Sequence, residues 1–205
     1  MKTIVRSSVM LAVVIAASLL SAAGQSSGEA AKPSSPIAGR LDFGLTYTYK
    51  SAKVSTTSNR FGLQGASLDA VYWLNPKVKK LGFAIDLNGE SASQIAPGVS
   101  LHQISLVAGP RYTLWQSKSK GLRPNLYGEG LVGFVHALHT TLPTVPATDS
   151  ATAVAFQAGG GLNLPVGRSM GFRLCELDYI ATKLPNNNDT YQGDLRVSGG
   201  VIFHF

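Results

Sequence analysis

The chain has little cysteine, little charge and few long apolar runs, and each shortage excludes a class of protein. A single cysteine, Cys175, among 205 residues excludes an intrachain disulfide framework. Charged residues make up 14% of the chain, against about 25% in an ordinary soluble domain. The one continuous apolar run of any length lies near the N-terminus, at 9–20. No transmembrane helix is therefore predicted in the rest of the chain.

The N-terminal segment has the three parts of a secretory signal peptide. Lys2 and Arg6 precede the apolar run, and small residues at 21–23 supply a cleavage site. The run is too short for a membrane span. The cleavage site contains no cysteine, so a lipid anchor is not expected. We expect a signal peptide over 1–23, a flexible periplasmic leader rich in Ser, Gly and Pro over 24–38, and one domain over 39–205.

The remainder of the chain alternates between apolar and polar residues, which is the pattern of β-strands. In the C-terminal segment one face carries Leu195, Val197, Gly199, Val201, Phe203 and Phe205, and the other carries Asp194, Arg196, Ser198, Gly200, Ile202 and His204. Seven further segments alternate, at about 41–50, 61–74, 81–90, 105–114, 123–137, 153–164 and 171–183. An apolar face on nearly every strand predicts an all-β fold, a closed eight-stranded antiparallel up-and-down transmembrane β-barrel with lipid outside.

The segments between the strands also alternate in character. Long polar connections at 51–59, 91–100, 138–150 and 184–193 are separated by shorter, often basic ones at 75–80, 115–121 and 165–170. This predicts long extracellular loops and short periplasmic turns. Two irregularities are expected in the strands. Pro110 predicts a bulge or a missing hydrogen bond, and the faltering alternation of the seventh segment predicts a bulge near Cys175.

The inward-facing positions include charged residues of both signs. Eight strands enclose a lumen just wide enough for side chains to fill, and unpaired charges there are costly. The predicted lumen charge network is Asp42, Asp69, Asp86, Glu129, Arg111 and Arg196, with Lys50 and Glu90 on the same face. We expect these charges to form a salt-bridged plug. A narrow channel for small solutes is the alternative.

No catalytic, cofactor or metal site is predicted. His136 and His139 are three residues apart, but they lie at a strand end without a nearby group of acidic residues. The three glycines at 159–161 lack the Lys-Ser/Thr pair and the helix of a phosphate-binding loop. The excess of basic residues is scattered over turns, so nucleic-acid binding is not expected.

The signal peptide, the eight alternating segments, the strand at 177–179 and the ending at 199–205 together resemble the small OmpA/OmpX-like outer-membrane β-barrel proteins. The resemblance covers 39–205. It implies that Val201, Phe203 and Phe205 form the signal read by the barrel-assembly machinery. Because the chain stops at Phe205, a peptidoglycan-binding domain after the barrel is not expected.

These observations predict a non-enzymatic protein of the cell outer membrane with a structural or surface-interaction role. Its expected partners are outer-membrane lipid, the barrel-assembly machinery and an unknown ligand of the extracellular loops. One alternative is an envelope enzyme of the same architecture, a lipid acyltransferase or surface protease, using His139, Asp149 and Ser150 of one loop. Another alternative is a soluble lipocalin-like barrel.

Overall fold

The structure, a computed structural model, is a closed antiparallel β-barrel. It describes residues 39–53, 60–96, 99–118, 122–142, 148–167, 169–184 and 191–205; the expected signal peptide and leader lie outside these residues. The strands are β1 Leu41–Lys53, β2 Arg60–Trp73, β3 Leu81–Ala96, β4 Val99–Gln116, β5 Asn125–Leu142, β6 Thr148–Pro165, β7 Met170–Thr182 and β8 Gln192–His204. Each strand pairs with the next and β8 pairs with β1, so the predicted eight-stranded barrel is confirmed. Within the described part of the chain, no helix has the length and apolar character needed to cross a bilayer.

The barrel has two ends that differ in their connections. The turn end carries the connections 74–80, 117–124 and 166–169, the start of β1 and the end of β8. The loop end carries the other four connections, which are not consistently longer than those of the turn end.

Side chains alternate between the two surfaces of the wall as the sequence predicts. On β3, Phe83 and Ile85 are 50% and 45% exposed, whereas the alternate residues Ala84 and Asp86 are 0% and 3% exposed. On this strand the interior takes the small and polar residues, and the large apolar residues lie outside. This is the reverse of a water-soluble barrel, in which apolar residues form the core.

The apolar C-terminal strand is an interior strand of the closed sheet rather than a free edge. Its register with β1 runs from Asp42↔His204 to Ser51↔Leu195. The Phe205 amide donates to the Leu41 carbonyl at 2.9 Å, and the Phe205 ring meets Phe43 edge-on, with 5.6 Å between centroids.

The predicted bulge in β7 is confirmed at Cys175. The β6–β7 register shifts between Leu162 and Asn163, and the β7–β8 register shifts between Arg173 and Glu176. Leu174 and Cys175 are consecutive exposed residues, so the alternation changes phase between them. As a result, Arg173 and Glu176 both face the lumen.

Pro110 interrupts pairing without a bulge. The β4–β5 register is the same before and after it, and neither Gly109 nor Pro110 has a partner on β5. The register of these strands shifts instead between Thr113 and Trp115. Of the two expected outcomes at Pro110, the locally missing pairing is therefore the one observed.

The prediction of long loops at 91–100 and 138–150 is wrong, because most of each segment is strand. β3 continues to Ala96 and β4 starts at Val99, while β5 continues to Leu142 and β6 starts at Thr148. Polar outward residues end the apolar pattern here, but strand pairing does not require an apolar face where the wall meets water. The inward positions Ala92, Leu101, Ala137 and Ala153 stay buried.

The loop-end part of β6 is paired on one side only. It pairs with β5 from Thr148 onward, with a register shift between Leu138 and Leu142. Pairing with β7 begins at Ala155↔Thr182, and one further bond joins Lys183 N to Val154 O at 3.3 Å. Among the described residues, 148–153 therefore has no β7 partner.

Candidate functional site in the barrel lumen

The centre of the lumen is built around Asp69 of β2. Arg173 of β7 donates from Nη1 to Asp69 Oδ1 at 2.7 Å and from Nη2 to Oδ2 at 3.1 Å. Arg111 of β4 donates from Nη1 to Asp69 Oδ2 at 3.0 Å. The three side chains are at most 3% exposed. One carboxylate thus joins three strands across the interior, two of them far apart around the barrel.

Two glutamates complete this cluster. Arg111 Nε lies 2.6 Å from Glu129 Oε2, and Arg173 Nη1 lies 3.2 Å from Glu176 Oε2. The Tyr127 hydroxyl donates to Glu176. The ring of Tyr127 contacts both guanidinium groups, with centroid distances of 4.4 Å to Arg111 and 5.4 Å to Arg173. The buried cations are therefore held by both ion pairs and a π face.

A second cluster surrounds Arg196 of β8. Its Nη2 lies 2.8 Å from Asp86 Oδ2 and 3.0 Å from Asp178 Oδ2. Ser67 also donates to Asp86. The Gln157 amide links the two clusters, since it donates to Asp86 at 3.5 Å and to Glu129 at 3.3 Å.

Three of these carboxylates, Glu129, Glu176 and Asp178, each place an oxygen within 4.8 Å of the others. That spacing would suit a cation ligand set. However, Arg111, Arg173 and Arg196 already place guanidinium nitrogens within 4 Å of these three carboxylates. The arrangement therefore fits an internal ion-pair network rather than a metal site.

Towards the loop end a smaller polar group and an apolar layer follow. Lys50 forms an ion pair with Glu90 and donates to Gln103 Oε1 at 2.6 Å. The inward positions nearest the loops are mostly apolar and buried: Ala52, Leu63, Ala92, Leu101, Val135, Ala137, Ala153 and Leu184. We call these eight residues the apolar layer. Sequence reasoning expected a mostly polar interior and did not separate this layer from it.

Asp42 lies apart from the central network, at the turn end. Trp73 Nε1 donates to its Oδ2 at 2.7 Å, while Lys79 Nζ and His204 Nδ1 lie 2.7 and 2.8 Å from its Oδ1. This group borders a polar cavity of about 210 Å³, which Asn125 and Asn163 also line. Asp42 thus ties the start of β1 to β2, β8 and a turn.

Five of the six predicted lumen charges therefore meet in the linked clusters: Asp69, Asp86, Glu129, Arg111 and Arg196. The set omitted Arg173, Glu176 and Asp178, which also belong to these clusters. Their common position on β7 explains the omission, because the phase of that strand depends on where the bulge lies. The irregular alternation of the seventh segment was the one sign in the sequence that these residues could face the lumen.

The residues of the enzymatic alternative lie on the β5–β6 hairpin. The side chains of His139 and Asp149 are outside the described part of the structure. His136 Nδ1 lies 2.7 Å from Thr152 Oγ1 on the neighbouring strand.

Comparison with known proteins bears on the fold. No protein-family model and no curated protein sequence matches the chain. Among solved structures, the chain is similar to neisserial surface protein A (NspA), with 17% identity and a TM-score of 0.59, covering 82% of this chain and 98% of that one. It also matches Ail, the attachment invasion locus protein of Yersinia pestis, at 13% identity and a TM-score of 0.44, covering 80% and 99%.

A third match is the N-terminal β-barrel domain of Pseudomonas aeruginosa OprF, at 18% identity and a TM-score of 0.44, covering 80% of this chain and 97% of that domain. The similarity to NspA extends over nearly the whole of that barrel. The strand number, the closed antiparallel order and this similarity confirm the expected resemblance at the level of the fold: the chain has the fold of the small eight-stranded outer-membrane β-barrels.

Proposed function

We propose that this protein is an integral outer-membrane barrel with a structural or surface-interaction role and a lumen that does not conduct solutes. The observation that carries the proposal is the bridge from Arg111 through Asp69 to Arg173, which crosses the interior between β4, β2 and β7. A solute would have to separate these buried ion pairs in order to pass. Breaking a buried pair costs about 3–5 kcal/mol, so the network favours a closed barrel.

The outer surface supports contact with lipid. Each strand exposes large apolar side chains, for example Phe43, Leu68, Phe83, Leu106, Phe134, Phe156, Leu177 and Leu195. Soluble monomers rarely expose contiguous apolar patches larger than a few hundred Å². A band on all eight strands therefore favours a membrane location, reached after export by the expected signal peptide.

The strand ends support an orientation. At the loop end the β3–β4 and β5–β6 hairpins continue as paired strands beyond their outward apolar residues, so this end extends further from the apolar band. Barrels of this kind extend further on the extracellular side than on the periplasmic side. We therefore assign the turn end to the periplasm and the loop end to the cell exterior. In this orientation the assembly signal, Val201, Phe203 and Phe205, lies at the periplasmic rim, where the assembly machinery would bind it. The extracellular connections would stabilise the envelope or contact other surfaces.

Planar-bilayer recording of the refolded protein tests the closed lumen. Heat-modifiable gel mobility first establishes that the barrel has folded. We expect folded protein to insert without steady conductance. Arg173→Ala serves as a comparison that removes one side of the bridge, and we expect brief openings from it. Steady channels from the folded wild-type protein would instead support the channel alternative.

The enzymatic alternative has a separate test. The mass spectrum of lipid A from cells with and without the protein would be unchanged under our proposal. A changed acyl pattern that depends on Ser150 would favour an acyltransferase.

A further inference from the structure

The turn end of the barrel is strongly basic. Its three connections carry Lys77, Lys79, Lys80, Lys118, Lys120, Arg123 and Arg168 and no Asp or Glu, and Arg40 precedes β1. Among the described residues at this end, the one side-chain carboxylate is Asp42, which is buried and faces the lumen. The positive charge is therefore mostly uncompensated by the protein's own acidic side chains.

Neighbouring lysines in the first turn point to different sides of the wall. Lys79, at a φ of 43°, reaches inward to Asp42 at 2.7 Å. Lys80 places its Nζ 5.6 Å from the centre of the Tyr112 ring, which is an outward-facing residue of β4. Lys79 thus belongs to the lumen, whereas Lys80 belongs to the outer surface.

Arg40 makes an equivalent contact on the outside. Its Nη1 donates to the Tyr72 hydroxyl at 3.2 Å and to the Leu74 carbonyl at 3.3 Å. Tyr72 is an outward-facing residue of β2 and is 40% exposed. A guanidinium group is therefore held against the rim of the apolar outer surface.

The register places these two contacts close together. β3 lies between β2 and β4, with Phe83 opposite Tyr72 and Leu81 opposite Tyr112. We define the basic rim as Arg40 and Lys80 together with Tyr72 and Tyr112. It combines positive charge with aromatic and apolar residues over three adjacent strands. Such a combination suits the headgroup level of a bilayer, where tyrosines collect and long basic side chains extend to the interface.

We propose that the basic rim binds the phosphate groups of anionic phospholipids in the periplasmic leaflet. The inference rests on the membrane orientation given under the proposed function. Cationic groups touch outward-facing tyrosines, so an occupant needs a negative charge and also acyl chains that can lie against Leu81 and Phe83. An anionic phospholipid meets both requirements, whereas an acidic protein or free phosphate meets only the first.

The test uses the full-length refolded protein in vesicles with equal amounts of phosphatidylglycerol and phosphatidylcholine. After mild detergent extraction, native mass spectrometry identifies the retained lipids. We expect preferential retention of phosphatidylglycerol. The combined variant Arg40→Gln, Lys80→Gln should lose that preference, by about fivefold for each of the two basic residues. The control Arg60→Gln, Lys183→Gln removes charges at the loop end and should retain it.

Other outcomes would overturn the inference. Equal retention of both lipids by the folded wild-type protein would do so, as would an equal loss in the control variant. Displacement of the lipid by inorganic phosphate would assign the site to a free anion, and displacement by polyglutamate would assign it to an acidic protein. Heat-modifiable mobility shows whether the protein has inserted as a folded barrel, and so separates failure of the proposed function from failure of the lipid-binding inference. A wild-type protein that does not insert contradicts the proposed function, whereas inserted protein without lipid preference contradicts only this inference.

Discussion

Arg173 binds both carboxylate oxygens of Asp69, at 2.7 and 3.1 Å, although 104 residues separate the two in the chain. The pair joins β7 to β2, which are not neighbours in the sheet. Its two-pronged geometry is among the strongest that an ion pair adopts.

Loss of this contact should destabilise the barrel. In the variant Arg173→Met, Asp69 keeps Arg111 but Glu176 loses its nearest cation. We expect the free energy of unfolding to fall by about 3–5 kcal/mol, because the buried Glu176 loses its nearest cation and the buried Asp69 loses one of its two. Urea unfolding in lipid vesicles, followed by tryptophan fluorescence, measures it. Arg60→Met is the matched control, since Arg60 is exposed and donates hydrogen bonds to Ser51 of the adjoining strand. Equal stability of the two variants would argue against a structural role for the central cluster.

Charge on the outer surface should prevent assembly. Ile85→Arg places a cation among outward-facing apolar residues, at a cost of about 2–4 kcal/mol near the bilayer midplane. We do not expect it to show the mobility shift of a folded barrel on unheated gels. Ser67→Ala changes a buried inward position and should shift normally. A folded Ile85→Arg protein would contradict the assigned facing of β3.

The bulge in β7 can be tested by deletion. Removing Cys175 would leave β7 in regular alternation, with Arg173, Glu176 and Asp178 still on the lumen side. We expect this deletion to assemble, as judged by heat-modifiable mobility. Deletion of Leu177 is the contrast, because it places either Glu176 or Asp178 on the outward side and should abolish assembly. Normal folding of the Leu177 deletion, or failure of the Cys175 deletion, would contradict the assigned bulge.

The C-terminal aromatic residue allows assembly to be separated from stability. Phe205→Ala and Phe43→Ala each remove the same ring contact, worth about 0.5–1.5 kcal/mol. We expect similar small losses in unfolding free energy for both. In cells, only Phe205→Ala should reduce the amount of assembled barrel, because only it alters the proposed signal. Equal cellular yields of the two variants would remove the support for that signal.

The facing of most strands could be predicted because a period of two assigns every residue to a face. Asp69, Asp86 and Arg111 are inward on that basis alone, as is Glu129 on β5. Which of them touch could not be predicted, because contact also depends on depth in the barrel. Asp42 shows the difference. Its inward facing follows from alternation, but its separation from the central clusters follows from the stagger of the strands.

Arg173 shows a second limit. A shift of one residue moves a side chain to the opposite surface, and no local pattern locates a bulge to the residue. Glu176 and Asp178 shared an apparent face with Phe172 in the sequence, and three-dimensional pairing was needed to separate them. The strand ends at 91–100 and 138–150 were missed for a related reason. The outward apolar pattern ends where contact with lipid is expected to end, whereas the hydrogen-bonded pairing of the strands continues beyond that point.

The one-sided pairing of β6 also bears on how deeply the protein sits. Backbone amides and carbonyls without partners are not tolerated against acyl chains, since nothing there can hydrogen-bond to them. Among the described residues, 148–153 leave such groups open towards β7. With the barrel in a bilayer as proposed, we expect the hydrocarbon on this flank to end near Ala155 and Thr182, a limit that the outward side chains alone do not mark.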